Sequence, residues 1–405
     1  MELQKHKLND FLDGYGDGLH GTPAYSDDGT YFFINGNNLE NNGIQITSDT
    51  LRISEDEYQK IKRPLTNNTI LLSINGTLGK LAFYKGEKIA LGKSACFLNI
   101  RNDVDKRYIK YVLSSKEFKK YMLTVASGST IKNFAPKQAA EYEFFAPDLP
   151  TQKKIADVLS CIDDKIALNN KTNTELENMA KTIYDYWFTQ FDFPDKNGHP
   201  YKTSGGQMVY NETLKREIPA GWEVGKLSDI ANITMGQSPD GESYNEDGNG
   251  TIFYQGSTDF GNRSPSIRVY TTAPTRFAKK NDILMSVRAP VGTLNIANTD
   301  CCIGRGLAAL NSKTNSISYL YCVMRNFQRQ FEVLDSIGTT FGSITKDDLF
   351  GLQVIIPPKE IIEDFCKIGN EIFKEQSRID EENEELTKLR DYLLPLLMNG
   401  QIEVI

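Results

Sequence analysis

The sequence predicts an α+β protein made by tandem duplication: an α/β lobe, a long helix, a second α/β lobe and a second long helix. Three observations carry this. In Thr151–Phe188 the apolar positions Ile155, Leu159, Ile162, Ile166, Leu176, Ile183 and Trp187 fall on one line that steps by four and three residues, the seam of a coiled coil. Lys359–Leu397 carries the same line through Phe365, Ile372, Ile379, Leu386 and Leu393, each at a constant interval after its counterpart. Paired motifs also recur ahead of both helices.

The first helix holds no Gly or Pro between Thr151 and Phe188, so one continuous rod of roughly 55–60 Å is expected at 1.5 Å per residue. Such a rod cannot bury its stripe against itself and needs a partner of matching length. Asn169, Asn173, Gln376, Asn383 and Arg390 interrupt the seam; polar residues there weaken the pair and fix its register.

The duplication is visible residue by residue. Asn68-Thr-Ile-Leu-Leu-Ser-Ile-Asn-Gly-Thr-Leu-Gly79 answers Asn281-Asp-Ile-Leu-Met-Ser-Val-Arg-Ala-Pro-Val-Gly292. Leu91-Gly-Lys93 answers Ile303-Gly-Arg305, Ser127–Ile131 answers Ile337–Phe341, and Phe32-Phe-Ile-Asn-Gly36 answers Ile252-Phe-Tyr-Gln-Gly256. The segments expected are a first lobe over 1–150, a helix over 151–190, a linker over 191–221, a second lobe over 222–358, and a helix with tail over 359–405.

Along the chain, Ile70–Ile74 and Ala95–Ile100 read as strands and Arg107–Met122 as a helix packed on them. Ile283–Val287 and Ser318–Leu334 repeat that pattern. Pro194, Pro200, Gly198, Gly205 and Gly206 mark the linker as free of long regular elements. The net charge of −7 resides mostly in the second helix and tail, and both lobes are close to neutral. The stripe Asp380–Glu385 reads as a solvated helix face, with docking of a basic surface as the alternative.

Composition excludes several chemistries. Six Cys without a CxxC pair and only three His argue against a zinc site or a His-based nucleophile, and the Cys read as reduced core residues. No apolar run suits a membrane span or a signal peptide, so a cytoplasmic protein is expected. Gly86 and Gly92-Lys-Ser94 imitate a phosphate loop, but five residues separate the glycines where four are required, and no helix follows. Pro357-Pro358 lacks the flanking residues of an adenine methyltransferase tetrapeptide, and no nuclease cluster stands out.

What remains is a set of polar loops at equivalent places in both lobes. In the first lobe they offer Ser73, Asn75, Thr77, Lys80, Lys93, Ser129, Thr130, Lys132 and Asn133. In the second they offer Gln255, Ser257, Arg263, Ser286, Arg288, Arg305, Thr339, Thr340 and Ser343. Hydroxyls, amides and Lys/Arg suit phosphate contacts, and Asn, Gln and Arg suit base edges, so double-stranded DNA is the expected ligand.

Pro147-Asp-Leu-Pro-Thr-Gln152, Phe191-Asp-Phe-Pro-Asp-Lys-Asn-Gly198 and Arg216-Glu-Ile-Pro-Ala-Gly-Trp222 resemble the specificity subunits of type I restriction-modification enzymes. The resemblance runs over essentially the whole chain; the second helix departs from it where its lead-in lacks a counterpart of Gln152. It implies two target recognition domains, each reading half of a bipartite DNA site, and long helices packed antiparallel as a spacer. It further implies two modification (methyltransferase) subunits, which bind S-adenosylmethionine, restriction subunits joining them, and no cofactor, metal or catalytic residue in this chain. A stand-alone DNA-binding protein and a helix-mediated scaffold without nucleic acid are the alternatives.

Overall fold

The computed structural model describes residues 2–40, 43–128, 132–336 and 342–404. The first long helix runs over Leu149–Tyr184 and widens into a π turn at Asp185–Thr189; the second runs over Lys359–Met398. The chain divides into two compact units, Met1–Ile166 with Glu385–Ile405, and Ala167–Glu384. Each unit holds one lobe and one stretch of paired helix.

Within the first unit, Ile155 and Leu159 of the first helix share a core with Leu397 of the second, and Leu393 packs at its edge. Within the second, Trp187 meets Phe365 with ring centroids 5.9 Å apart, and Ile372 and Ile379 are buried. Within this second unit Trp187 lies by Phe365 while Asn169 lies by Asn383, so numbers rise along one helix as they fall along the other and the pair is antiparallel. In the first unit Ile162 is buried and Ile166 and Leu386 are half-buried, and in the second Leu176 and Ile183 are half-buried, so each unit covers its own stretch of the seam. Its middle is polar: Asn169 Nδ2 donates to Asn383 Oδ1 at 2.9 Å, and Asn173 Nδ2 to Asp380 Oδ1 at 2.8 Å. Buried amides cost free energy unless bonded, so these pairs favour one register over its neighbours.

Each lobe has the same sheet plan. In the first lobe, an antiparallel sheet takes the order Leu12–Asp17, Ala95–Ile100, Thr69–Ser73, Leu81–Phe83. In the second, the order is Ala231–Met235, Leu307–Ser312, Ile283–Ser286, Leu294–Ile296. A smaller sheet centres on a parallel pair, Tyr31–Ile34 with Ile89–Leu91 and Thr251–Tyr254 with Cys301–Ile303. Alternate residues of the main sheet face two cores. Ile70, Leu72 and Leu98 meet helical Ile109 and Leu113, whereas Leu71 and Phe97 meet Ile34 and Leu91. Burial on both faces explains the nearly continuous apolar runs of these strands.

Three expectations need correcting. The helix over Arg107–Met122 is two helices, Lys106–Ser114 and Lys116–Val125. Ser115 lies between them in extended backbone, and its hydroxyl accepts from Phe118 N, so the capping preference of serine prevails over the apolar period. The acidic stripe is not simply solvated. Asp380 pairs with Arg263, Glu381 with Lys280, and Glu384 accepts from Asn298, so it anchors the adjacent lobe of its own unit. The linker holds a short hairpin, Met208–Asn211 with Arg216–Pro219. Cys96, Cys301, Cys302, Cys322 and Cys366 are buried free thiols as expected, but Cys161 is exposed on the first long helix, which corrects its reading as a core residue.

In the first unit three helices meet at one carboxylate. Asp163 accepts from Lys110, from Tyr111 Oη at 2.8 Å and from Arg390 Nη1 at 3.1 Å. Burial alone would raise its pKa, but these three partners outweigh burial and hold it below the usual 3.8.

Candidate nucleic-acid interface

Four separate segments of the first lobe converge at one edge. Phe134 N donates to Ile74 O at 2.9 Å, Gly76 N to Lys132 O at 3.3 Å, and Ile74 N to Ser94 O at 2.9 Å. Ser94 Oγ in turn accepts from Gly36 N and donates to Asn35 Oδ1 at 2.8 Å. The second lobe repeats the scheme. Ile344 N donates to Val287 O at 3.0 Å, Ala289 N to Gly342 O at 3.3 Å, Val287 N to Gly306 O at 2.9 Å, and Gly304 N to Tyr254 O at 2.8 Å.

Glycine makes this convergence possible. A Cβ on Gly92 would collide with the Asn35 amide, and one on Gly304 would press on the Gln255 backbone at 3.0 Å. The turn at Gly92-Lys-Ser94 lies between two strands, with the serine hydroxyl already engaged. Here the phosphate-loop mimic serves to pack two loops together.

The central loop has an internal brace in both copies. Ser73 Oγ donates to Thr77 O at 2.7 Å and accepts from Lys80 N at 2.8 Å. Ser286 Oγ donates to Pro290 O and accepts from Thr293 N at 2.9 Å. Both serines are buried, so their expected DNA contact is corrected: each shapes the loop instead. Arg263 is corrected likewise, being only 6% exposed, paired with Asp380 and seated over the Phe373 ring.

The remaining candidates stand differently. Thr77, Lys93, Lys132, Asn133, Gln255, Arg288, Arg305 and Ser343 are exposed, and Asn75, Lys80 and Ser257 are partly so. Their side chains make no hydrogen bond or ion pair among the described residues, which leaves them available to a ligand. Ser129, Thr130, Thr339 and Thr340 lie outside the described residues. Asn37, exposed beside the Asn35–Ser94 junction, is a further polar side chain that the sequence-derived candidates do not include. The repeat that brought Gln255 forward pointed to this loop too, since Asn35 is its counterpart.

The arrangement suits a polar polyanion. It joins Lys93 and Lys132 in one lobe, and Arg288 and Arg305 in the other, to amides and hydroxyls on braced loops. No group of three or more His, Cys, Asp or Glu among the described residues could hold a metal ion. No helix among them is long and apolar enough to cross a membrane.

Comparison with known proteins gives a consistent result. The family model for the type I restriction modification DNA specificity domain matches twice, at residues 4–178 and 219–391. A Methanocaldococcus jannaschii chain provisionally named the type I restriction enzyme MjaX specificity subunit is 32% identical over 337 residues, 81% of this chain and 76% of that one. The type I restriction enzyme MjaIX specificity subunit of the same organism is 28% identical over 381 residues, 89% of this chain and 84% of that one. A solved structure, the type-I restriction-modification system S subunit from M. genitalium, has the same fold. Its TM-score is 0.51 at 18% identity, with 98% of this chain and 96% of that chain covered.

Proposed function

This chain belongs to the type I restriction-modification DNA specificity family, and from that premise we propose that each lobe reads one half of a bipartite DNA site. The observation that carries this reading is the four-segment loop edge, built twice on the same backbone scheme yet bearing different side chains. Identical frameworks with different tips read different sequences, so the site is asymmetric. The long antiparallel helices act as the spacer that sets the gap between half-sites, as dimer geometry does in other two-headed readers.

The same helices dock two modification subunits. Leu168 and Met179 on the first, and Ile368, Leu389 and Tyr392 on the second, stay exposed although the seam is filled. Apolar side chains outside a completed seam favour a protein partner. S-adenosylmethionine binds to those modification subunits, and restriction subunits join them; this chain supplies recognition without catalysis and works in the cytoplasm, where the DNA is.

Co-expression with the neighbouring methyltransferase subunit, followed by genome-wide mapping of methylated adenines, tests the reading. The expected result is a gapped, asymmetric motif that vanishes when this chain is omitted. Methylation that persists without the chain, or a complex that never forms, would overturn it.

A further inference from the structure

Asn75 and Arg288 occupy one position of the duplicated framework. Each lies two residues after the bracing serine, Ser73 or Ser286, and each forms a lone antiparallel bridge to the fourth segment, Asn75 to Asn133 and Arg288 to Ser343. The backbone launches both side chains from the same place, yet their chemistry differs. Neither side chain is engaged by a described residue, so neither is committed to holding the loop.

Their surroundings differ in the same sense. Beside Asn75 stands a second amide, Asn133, with Asn37 exposed on the loop of the first segment. Beside Arg288 stands the small Ser343, with Arg305 on the third segment where the first lobe has Lys93. At this position of the framework the first lobe therefore presents short amides, and the second presents a guanidinium fork.

Resting on the proposed function, we infer that Asn75 reads an adenine in the half-site of the first lobe and Arg288 reads a guanine in that of the second. An amide matches adenine because its oxygen accepts from the N6 amino group while its nitrogen donates to N7. A guanidinium carries only donors and matches the paired acceptors O6 and N7 of guanine. Lys93 and Arg305, both cationic, do not separate the lobes in this way. One bidentate pair discriminates by about ten- to a hundredfold against the wrong base.

The test is selection of random duplex DNA by the complex of this chain with its modification subunits, followed by sequencing, for wild type, Arg288→Asn, Asn75→Arg and Arg288→Lys. Wild type is expected to return a gapped motif with adenine in one half and guanine in the other. Arg288→Asn should lose the guanine preference by about ten- to a hundredfold and leave the other half unchanged. Asn75→Arg should alter only the adenine-containing half. Arg288→Lys keeps the charge but not the fork, so it should bind while selecting guanine less strongly, which decides the matter if Arg288→Asn fails to assemble. Unchanged motifs in binding-competent variants would overturn the inference and leave the proposed function standing. Absence of any enriched sequence with the wild-type complex would instead overturn the function, and the inference with it.

Discussion

Arg263 Nη1 donates to Asp380 at 2.9 Å, and its Nε and Nη2, both buried, find no partner among the described residues. Burial raises the Asp380 carboxyl pKa despite Arg263, Asn173 and Ser264, so the pair is held together at a desolvation cost. Removing one member leaves the other charge buried alone. Arg263→Met or Asp380→Asn should each destabilise the second unit by about 3–5 kcal/mol, whereas the double replacement Arg263→Met with Asp380→Leu should cost much less. Denaturant unfolding of the four proteins reads this directly, and equal losses in singles and double would refute it.

Acid should loosen the first unit through Asp163. Its folded pKa lies below the unfolded value, so between the two the folded state binds fewer protons. Its contribution is fully present above about pH 4 and is lost as pH falls through the depressed value. Asp163→Asn should lower stability at neutral pH by about 3–5 kcal/mol, because Lys110 loses its counter-charge, and should flatten the decline of Tm below pH 4. A decline as steep as that of wild type would assign the acid sensitivity elsewhere.

The bracing serines should matter for shape rather than for contact. Ser286→Ala strands the Thr293 amide and should cost about 1–3 kcal/mol, and Ser73→Ala should do the same in its own lobe. In site selection each variant should blur only one half of the motif. Blurring of both halves by one serine would contradict the independence of the two edges.

Lys93 and Lys132 are exposed at the loop edge of the first lobe, and under the proposed function they are expected to meet phosphate. Replacing either by Ala should weaken binding alike for all sequences and lower the slope of log affinity against log salt by about one. A changed sequence preference with an unchanged slope would make that lysine a base reader.

Spacer length should follow helix length. Seven residues inserted into both helices in phase with the seam should lengthen the gap in the motif and keep both half-sites. Motif mapping decides this, and altered half-sites would rule out the ruler.

The sequence disclosed the parts that depend on period and repetition. Ile155 through Trp187 announced their helix because spacing alone places them on one face, and Ser73-Ile-Asn75 announced its loop because Ser286-Val-Arg288 repeats it. Exposure was less legible. Ser73 and Asn75 are both small polar loop residues, yet one is buried as a brace and the other is free. Only the backbone path separates them. From sequence Arg263 reads as a DNA contact because its partner, Asp380, lies far along the chain in a stripe that reads as solvated. Ser115 shows the reverse failure, where a local cap broke a helix that the apolar period would have continued.

Leu397 closes the core around Ile155 and Leu159 of the first unit. Synthesis runs from the N-terminus, so the first lobe leaves the ribosome long before this residue exists. The second unit, continuous in sequence, can finish first. At about 5–20 residues per second, the first lobe waits tens of seconds for its last apolar wall. During that interval the stripe beginning at Ile155 lacks its cover, so the lobe made first is the last to close its core.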